Sequence, residues 1–361
     1  MEDTKYNKQN YNAIDLTKFI CSILVVAIHI KPFGDNVDFH FLNYGIQNYL
    51  ARIAVPFFFV TSGFLLYRKT SFETFSMERP LKYALKLFRL YVIWSLIYLP
   101  LNIKAYLSGG KDIVHSLLNY VRNFIFTGSY TQLWYLNATI FAVILITILL
   151  KRQISPKKIV LFAVVFYFLG LFAQSYFGMI EPLRSLMPDI WNILKLVSKV
   201  IVTTRNGLFE GFLFIGIGMF FAFYQEKLLN CNRGGVLAGF VISMTLMFGE
   251  VVILKYFDFV RARDMYLFLV PATIFLFGTV YNLHLKDNKV YPYLRILSSL
   301  IFYMHLWIFR IVNHLLTKLN INFKDTMLCF VFTVLITIIC SIIIIKLSDI
   351  HKFKWLKKLY S

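Results

Sequence analysis

The sequence predicts an all-α, polytopic integral membrane bundle of about ten transmembrane helices, with both termini cytoplasmic. Three observations predict it. Of 361 residues, 58% are hydrophobic, and the mean hydropathy is +0.66. Uncharged runs recur along the chain, at Thr131 to Leu150, Ile159 to Ile180 and Thr326 to Ile345. Each is about long enough to cross ~30 Å of hydrocarbon as a helix. A soluble chain of this length normally divides at polar linkers, and none is visible.

Ten apolar spans follow in order, at about 14–32, 47–67, 87–107, 131–150, 158–178, 207–225, 234–254, 265–285, 293–315 and 326–346. The first follows a polar start, Met1 to Asn12, and has no small-residue cleavage site, so it reads as a span and not as a signal peptide. An even number of spans puts both termini on one side. One set of connections carries Arg68, Lys69, Arg79, Lys82 and Lys86, then Lys151, Arg152, Lys157 and Lys158, then Lys286 and Lys289, and finally the tail lysines from Lys352 to Lys358. The other set is poorer in cations in its short loops, with Lys31, Lys318 and Lys324, although Lys255, Arg261 and Arg263 fall there too. By the positive-inside rule the richer set is cytoplasmic. The longest outer connection, Gly178 to Asn206, contains Pro182, Pro188, Trp191, Lys195 and Lys199 and is expected to hold an amphipathic helix along the interface. The expected organisation is a cytoplasmic segment at 1–13, a membrane domain at 14–346 and a basic cytoplasmic tail at 347–361.

The net charge of +20 does not point to nucleic acid, because the cations lie mostly between apolar spans. They read as topology signals and as contacts with anionic membrane lipid. Cys21, Cys231, Cys329 and Cys340 form no Cys-x-x-Cys pair, and no internal repeat of the secondary-transporter kind stands out. Metal chemistry finds no support, since no His-x-x-x-His pair or acidic helix face has ligand spacing. Thr61-Ser62-Gly63 lacks the strand-to-helix context of a nucleophile elbow.

The first span holds Asp15, Lys18 and His29. Eleven residues at ~100° each bring Lys18 and His29 to nearly the same helix face, roughly 16 Å apart along the axis. An imidazole is well matched to proton transfer near neutral pH. The plainer reading is a His that packs at a helix end, with Lys18 snorkelling to the surface, and spacing alone favours it. Arg52 and Glu210 lie in or beside apolar spans, where either residue can line a polar cavity or close an ion pair between helices; cavity lining is favoured for Arg52 and the pair for Glu210. Tyr303 and His305 sit mid-span, either bonding across the bundle or touching substrate. Arg205 precedes Gly207 at a helix start and either snorkels or faces an acidic acceptor.

Several landmarks in one order resemble a known family. Asp15 to His29 is similar to the Arg/Lys-x10-His signature of the acyltransferase-3 family of membrane proteins, with Lys18 and His29 as the pair. Arg52 to Leu66 (RIAVPFFFVTSGFLL), Leu133-Trp134-Tyr135-Leu136 and Ser298 to His305 (SSLIFYMH) resemble further landmarks of that family. The resemblance implies an enzyme with no permanently bound cofactor. It would move an acyl group, often acetyl from cytosolic acyl-CoA, to a hydroxyl of a sugar or glycan at the outer side. His29 would be the catalytic base, and Lys18 would hold the donor or its developing charge. Arg52, Tyr303, His305 and Arg205 would contact substrate. Lys82, Lys86 and Arg89 would meet the coenzyme A phosphates, the alternative being topology alone. Lys18 keeps the charge of the family's more frequent Arg but lacks its planar fork.

A narrower resemblance lies in Thr204 to Phe209 (TRNGLF), Asp264 to Pro271 (DMYLFLVP) and Phe168 to Ile180 (FLGLFAQSYFGMI). These are similar to the membrane module of membrane-bound serine racemases from vancomycin-resistance clusters, in which a pyridoxal-phosphate domain normally follows. With the sequence ending at Ser361, this implies a stand-alone module that handles serine or works with a separate racemase as partner.

Overall fold

The computed structural model describes residues 11–33, 40–109, 112–225, 231–319 and 327–361. Most of the expected N-terminal segment, Lys324 and the first residue of the last expected span lie outside the described residues. Among the described residues there is no strand. The helices are α1 (Asn12–His29), α2 (His40–Asn48), α3 (Ala54–Tyr67), α4 (Glu78–Ser108), α5 (Ile113–Phe126), α6 (Trp134–Lys151) and α7 (Pro156–Phe172). Two single turns follow, α8 (Phe177–Ile180) and α9 (Leu183–Leu186), then α10 (Pro188–Ile201), α11 (Phe212–Phe223), α12 (Arg233–Tyr256), α13 (Leu269–Tyr281), α14 (Val290–Lys318) and α15 (Met327–Ser348). A π-helical turn, Gly207–Gly211, leads into α11, and a 3-10 segment, His351–Leu359, ends the chain.

Seven of these stretches are long and apolar enough to cross a membrane, and an eighth is added if α7 is counted with the helix beyond its 79° bend. The expected sixth and eighth spans appear as the shorter apolar helices Gly207–Phe223 and Leu269–Tyr281. Their shortness has local causes. Before the π turn, Asn206 turns the chain by accepting hydrogen bonds from the amides of Leu208 (2.9 Å) and Phe209 (3.1 Å). Before α13, the amides of Leu267 (2.6 Å) and Phe268 (2.9 Å) donate to Glu250 of α12. A side chain from a neighbouring helix thereby satisfies donors that a longer helix would have satisfied itself.

Close packing replaces water exclusion as the force that joins helices in lipid. It is tightest between α3 and α11. A methyl group added at Gly63 would collide with the carbonyl of Ile215, and one at Gly218 with the carbonyl of Val60. Around this seam Phe57, Phe59, Phe64, Tyr67, Phe212, Phe214 and Phe277 are fully buried. Their tyrosine neighbours bond across the bundle: Tyr67 to Thr147 (3.2 Å), Tyr98 to the carbonyl of Tyr303 (2.7 Å) and Tyr167 to that of Tyr266 (2.7 Å). Leu96, Phe141, Val241, Ile253 and Ile339 point outward, as lipid-facing positions do. The amphipathic helix expected between Gly178 and Asn206 is α10, with Ile190, Ile193, Leu194 and Leu196 exposed.

Candidate active site

The site is built on α1 and α14, which lie against each other and run the same way. At one end the buried carboxylate of Asp15 accepts two hydrogen bonds from Arg295, Nε at 2.8 Å and Nη2 at 2.6 Å. One turn on, Lys18 borders a cavity of about 520 Å³. Arg79, Lys86 and Arg295, all exposed, form the rest of its basic mouth. Hydroxyls of Ser62, Tyr83, Tyr135 and Ser298 line its wall. Ser62 and Tyr135 bond to each other at 3.1 Å. The buried side chains of Phe58, Phe302 and Tyr303 also border it. Tyr360 and Ser361 also border the cavity, because the tail is tied back to the bundle. Trp94 Nε1 donates to the carbonyl of Leu359 (3.0 Å), and Ser348 bonds the hydroxyl of Tyr360 (2.7 Å).

At the other end of the α1–α14 contact the rings of His29 and His305 stack, with centroids 5.3 Å apart. His305 is fully buried. Its Nδ1 lies 3.0 Å from the carbonyl of Ile301 and therefore carries the proton. Its Nε2 is buried without a hydrogen-bond partner. In a neutral ring that nitrogen is the basic one. His29 lies within electrostatic range of His305, Arg205 and Arg52.

Those two arginines share one carboxylate. Arg52 Nη1 donates to Asp264 at 2.6 Å and Arg205 Nη1 to the same oxygen at 3.2 Å. Arg205 also lies over the Trp134 ring, 5.0 Å from its centre. Asp264 sits in the connection between α12 and α13, where its amide donates to Gln174 (3.4 Å). Burial opposes ionisation of this carboxyl, but the Arg205 and Arg52 guanidiniums outweigh it and hold it below the ordinary carboxylate range.

The structure thus gathers His29, His305, Arg52 and Arg205 into one cluster, and Lys18, Lys86 and Tyr303 around one cavity. Lys82 and Arg89 are exposed and do not border that cavity. Lys82 pairs instead with Glu78, one turn away on α4. Two expectations are corrected: Arg52 closes an ion pair, with Asp264, and Glu210 forms no ion pair among the described residues, its Oε2 buried without a hydrogen-bond partner. The π turn brings Glu210 inward, within electrostatic range of Asp264, Arg205 and Arg52. Sequence reasoning missed Asp264 as the shared counter-ion, and Arg79 and Arg295 at the mouth. A signal for Asp264 existed: it directly follows Arg263 in a cation-rich connection.

A model of an acyltransferase domain matches residues 11–346. Curated relatives include an "Amino-acid racemase" of Enterococcus faecalis, 30% identical over 94% of this chain and 46% of its own length. A second one from the same organism is 30% identical over 78% of this chain and 37% of its own. A "Serine/alanine racemase" of Enterococcus gallinarum is 29% identical over 77% of this chain and 38% of its own. The chain therefore spans less than half the length of these relatives. No solved structure matches it. With one domain model running from the first turn of α1 almost to the end of α15, the chain belongs to the acyltransferase-3 family of multi-pass membrane proteins.

Proposed function

We propose that this chain is a cell-membrane O-acyltransferase that moves an acyl group, acetyl in the first instance, from cytosolic acyl-CoA to a hydroxyl of a cell-envelope sugar or glycan. One observation carries the reading: a cavity with a basic mouth is bordered by Phe302, the ring that meets His305 of the stacked histidine pair. Lys86, Arg79 and Arg295 meet the donor's phosphates at the mouth. Lys18 stands just inside, against the developing charge of the donor. His29 takes the proton of the acceptor hydroxyl as that oxygen attacks the thioester carbon. The new C–O bond forms, the C–S bond breaks, and the leaving thiolate takes up a proton to become coenzyme A thiol. His305, with its proton fixed on Nδ1, presents Nε2 to this exchange and orients His29 by stacking. Arg52 and Arg205 face the acceptor from the far end, and burial of the cluster strengthens every charge interaction there.

The test is mass spectrometry of envelope glycans from a strain lacking the protein, restored with wild type or with His29→Gln. Acyl esters that depend on wild type and are lost with His29→Gln are expected. An unchanged ester profile across all three strains rejects the reading.

The names of the longer relatives favour a second reading, in which the chain is the membrane module of a serine racemase system, working in serine uptake or as a scaffold for a separate racemase. It predicts serine accumulation in vesicles without consumption of acyl-CoA.

A further inference from the structure

His29 and His305 do not border the cavity, and Phe302 both borders it and meets His305. Phe58 on α3, Tyr135 on α6 and Phe302 on α14 form a closed triangle. Ring centroids are 6.0 Å apart for Phe58–Tyr135, 6.0 Å for Phe58–Phe302 and 5.3 Å for Tyr135–Phe302, with the planes inclined by 59°, 76° and 65°. Rings at such angles meet edge to face, an arrangement their quadrupoles favour. All three border the cavity, and His29 and His305 do not. On its far side Phe302 meets His305, 6.5 Å between centroids. Tyr135 is fixed further by its bond to Ser62 and by Phe59, 4.7 Å away.

We propose that this triangle selects the acyl group. It closes the inner end of the cavity around the acyl portion of the donor and lets only a short chain bring its thioester carbon to the histidine pair. The inference rests on the acyl-transfer reading. A group of two carbons makes the smallest demand on three rings already in mutual contact, whereas each further methylene must displace a ring or withdraw the thioester toward the mouth. In a packed pocket one methylene changes the rate by roughly 10- to 200-fold. Truncating Phe302 removes the ring that touches both the cavity and His305, and so opens room where a longer chain would lie.

The experiment uses membrane vesicles from cells expressing the full chain, so that native acceptors are present. An equimolar mixture of acetyl-, butyryl- and hexanoyl-CoA is supplied, and the acyl groups in the envelope products are counted by mass spectrometry. Wild type is expected to incorporate acetyl groups. Phe302→Ala and Phe302→Leu are expected to raise the butyryl-to-acetyl ratio roughly tenfold or more. If Phe302→Ala does not accumulate in the membrane, Phe302→Leu and Phe58→Leu decide. An unchanged ratio in variants that do acylate overturns the selectivity role while leaving acyl transfer standing. Wild-type vesicles that incorporate no acyl group from any donor overturn the acyl-transfer reading itself, and the selectivity role with it.

Discussion

Replacing Asp264 by Asn tests whether one carboxylate holds the outer cluster together. The amide keeps an oxygen where Arg52 and Arg205 donate, at 2.6 and 3.2 Å, but removes the charge. With charge centres ~4 Å apart and an effective dielectric near 20, each attraction is about 4 kcal/mol. The substitution cancels two of these and leaves two guanidiniums repelling each other. Their side chains are only 14% and 30% exposed, so water compensates in part. Removing one partner of a buried pair costs about 3–5 kcal/mol. The expected result is a fall of roughly 5–10 °C in the unfolding temperature of the detergent-solubilised protein. Removing one of the stranded cations should restore part of it, so Arg205→Gln combined with Asp264→Asn should unfold above Asp264→Asn alone. Acid should act as the single substitution does, with a defined sign. The folded-state carboxyl titrates below its ordinary value, so its contribution is present above the unfolded pKa and is lost as pH falls through the lower folded one. Wild type should therefore keep this contribution at mildly acidic pH and lose it only below the ordinary carboxylate range. An unfolding temperature unchanged in Asp264→Asn, with no coupling to Arg205, would show that this carboxylate does not hold the two arginines.

Three further outcomes follow from the same geometry. Lys86→Gln and Arg79→Gln should each raise the KM for acyl-CoA roughly three- to fivefold with little change in kcat, because they are exposed charges at the mouth. Lys82→Gln, away from the cavity, should change neither in the same steady-state assay. Gly218→Val should abolish folding, since its side chain has only the Val60 carbonyl to occupy, and the fluorescence size-exclusion profile of a tagged variant should show aggregate in place of a monodisperse peak.

The membrane architecture is legible in the sequence because it is written in local runs. Ile159 to Ile180 or Thr326 to Ile345 needs no partner to be recognised as a span. The shared face of Lys18 and His29 is legible too, since helix periodicity alone sets it, and both residues turn inward toward α14, one at the cavity and one at His305. What was not legible depends on long-range contact. Asp264 meets Arg52 across 212 positions of chain, and its place beside Arg263 does not reveal that its partners are the distant Arg52 and Arg205. Glu210 reads in sequence as one half of an ion pair, but the π turn on which it lies is a backbone irregularity no periodicity reveals. The basic segment at the start of α4 reads in sequence as one patch. In the structure it divides along the helix axis, because Lys86 borders the cavity while Lys82, one turn earlier, is bonded to Glu78. The place of Tyr360 in the cavity wall likewise depends on Trp94 and Ser348 drawing the tail back, not on anything in the tail itself.

The most direct measurement is coenzyme A thiol release from acetyl-CoA by membrane vesicles that carry native acceptors, comparing wild type with His29→Gln at equal protein levels. A base positioned at the reacting hydroxyl contributes about 10²- to 10⁴-fold, so acceptor-dependent release is expected to fall by at least two orders of magnitude in the variant, while α1 stays inserted and Asp15 stays paired with Arg295. Wild-type release rates in His29→Gln would contradict it.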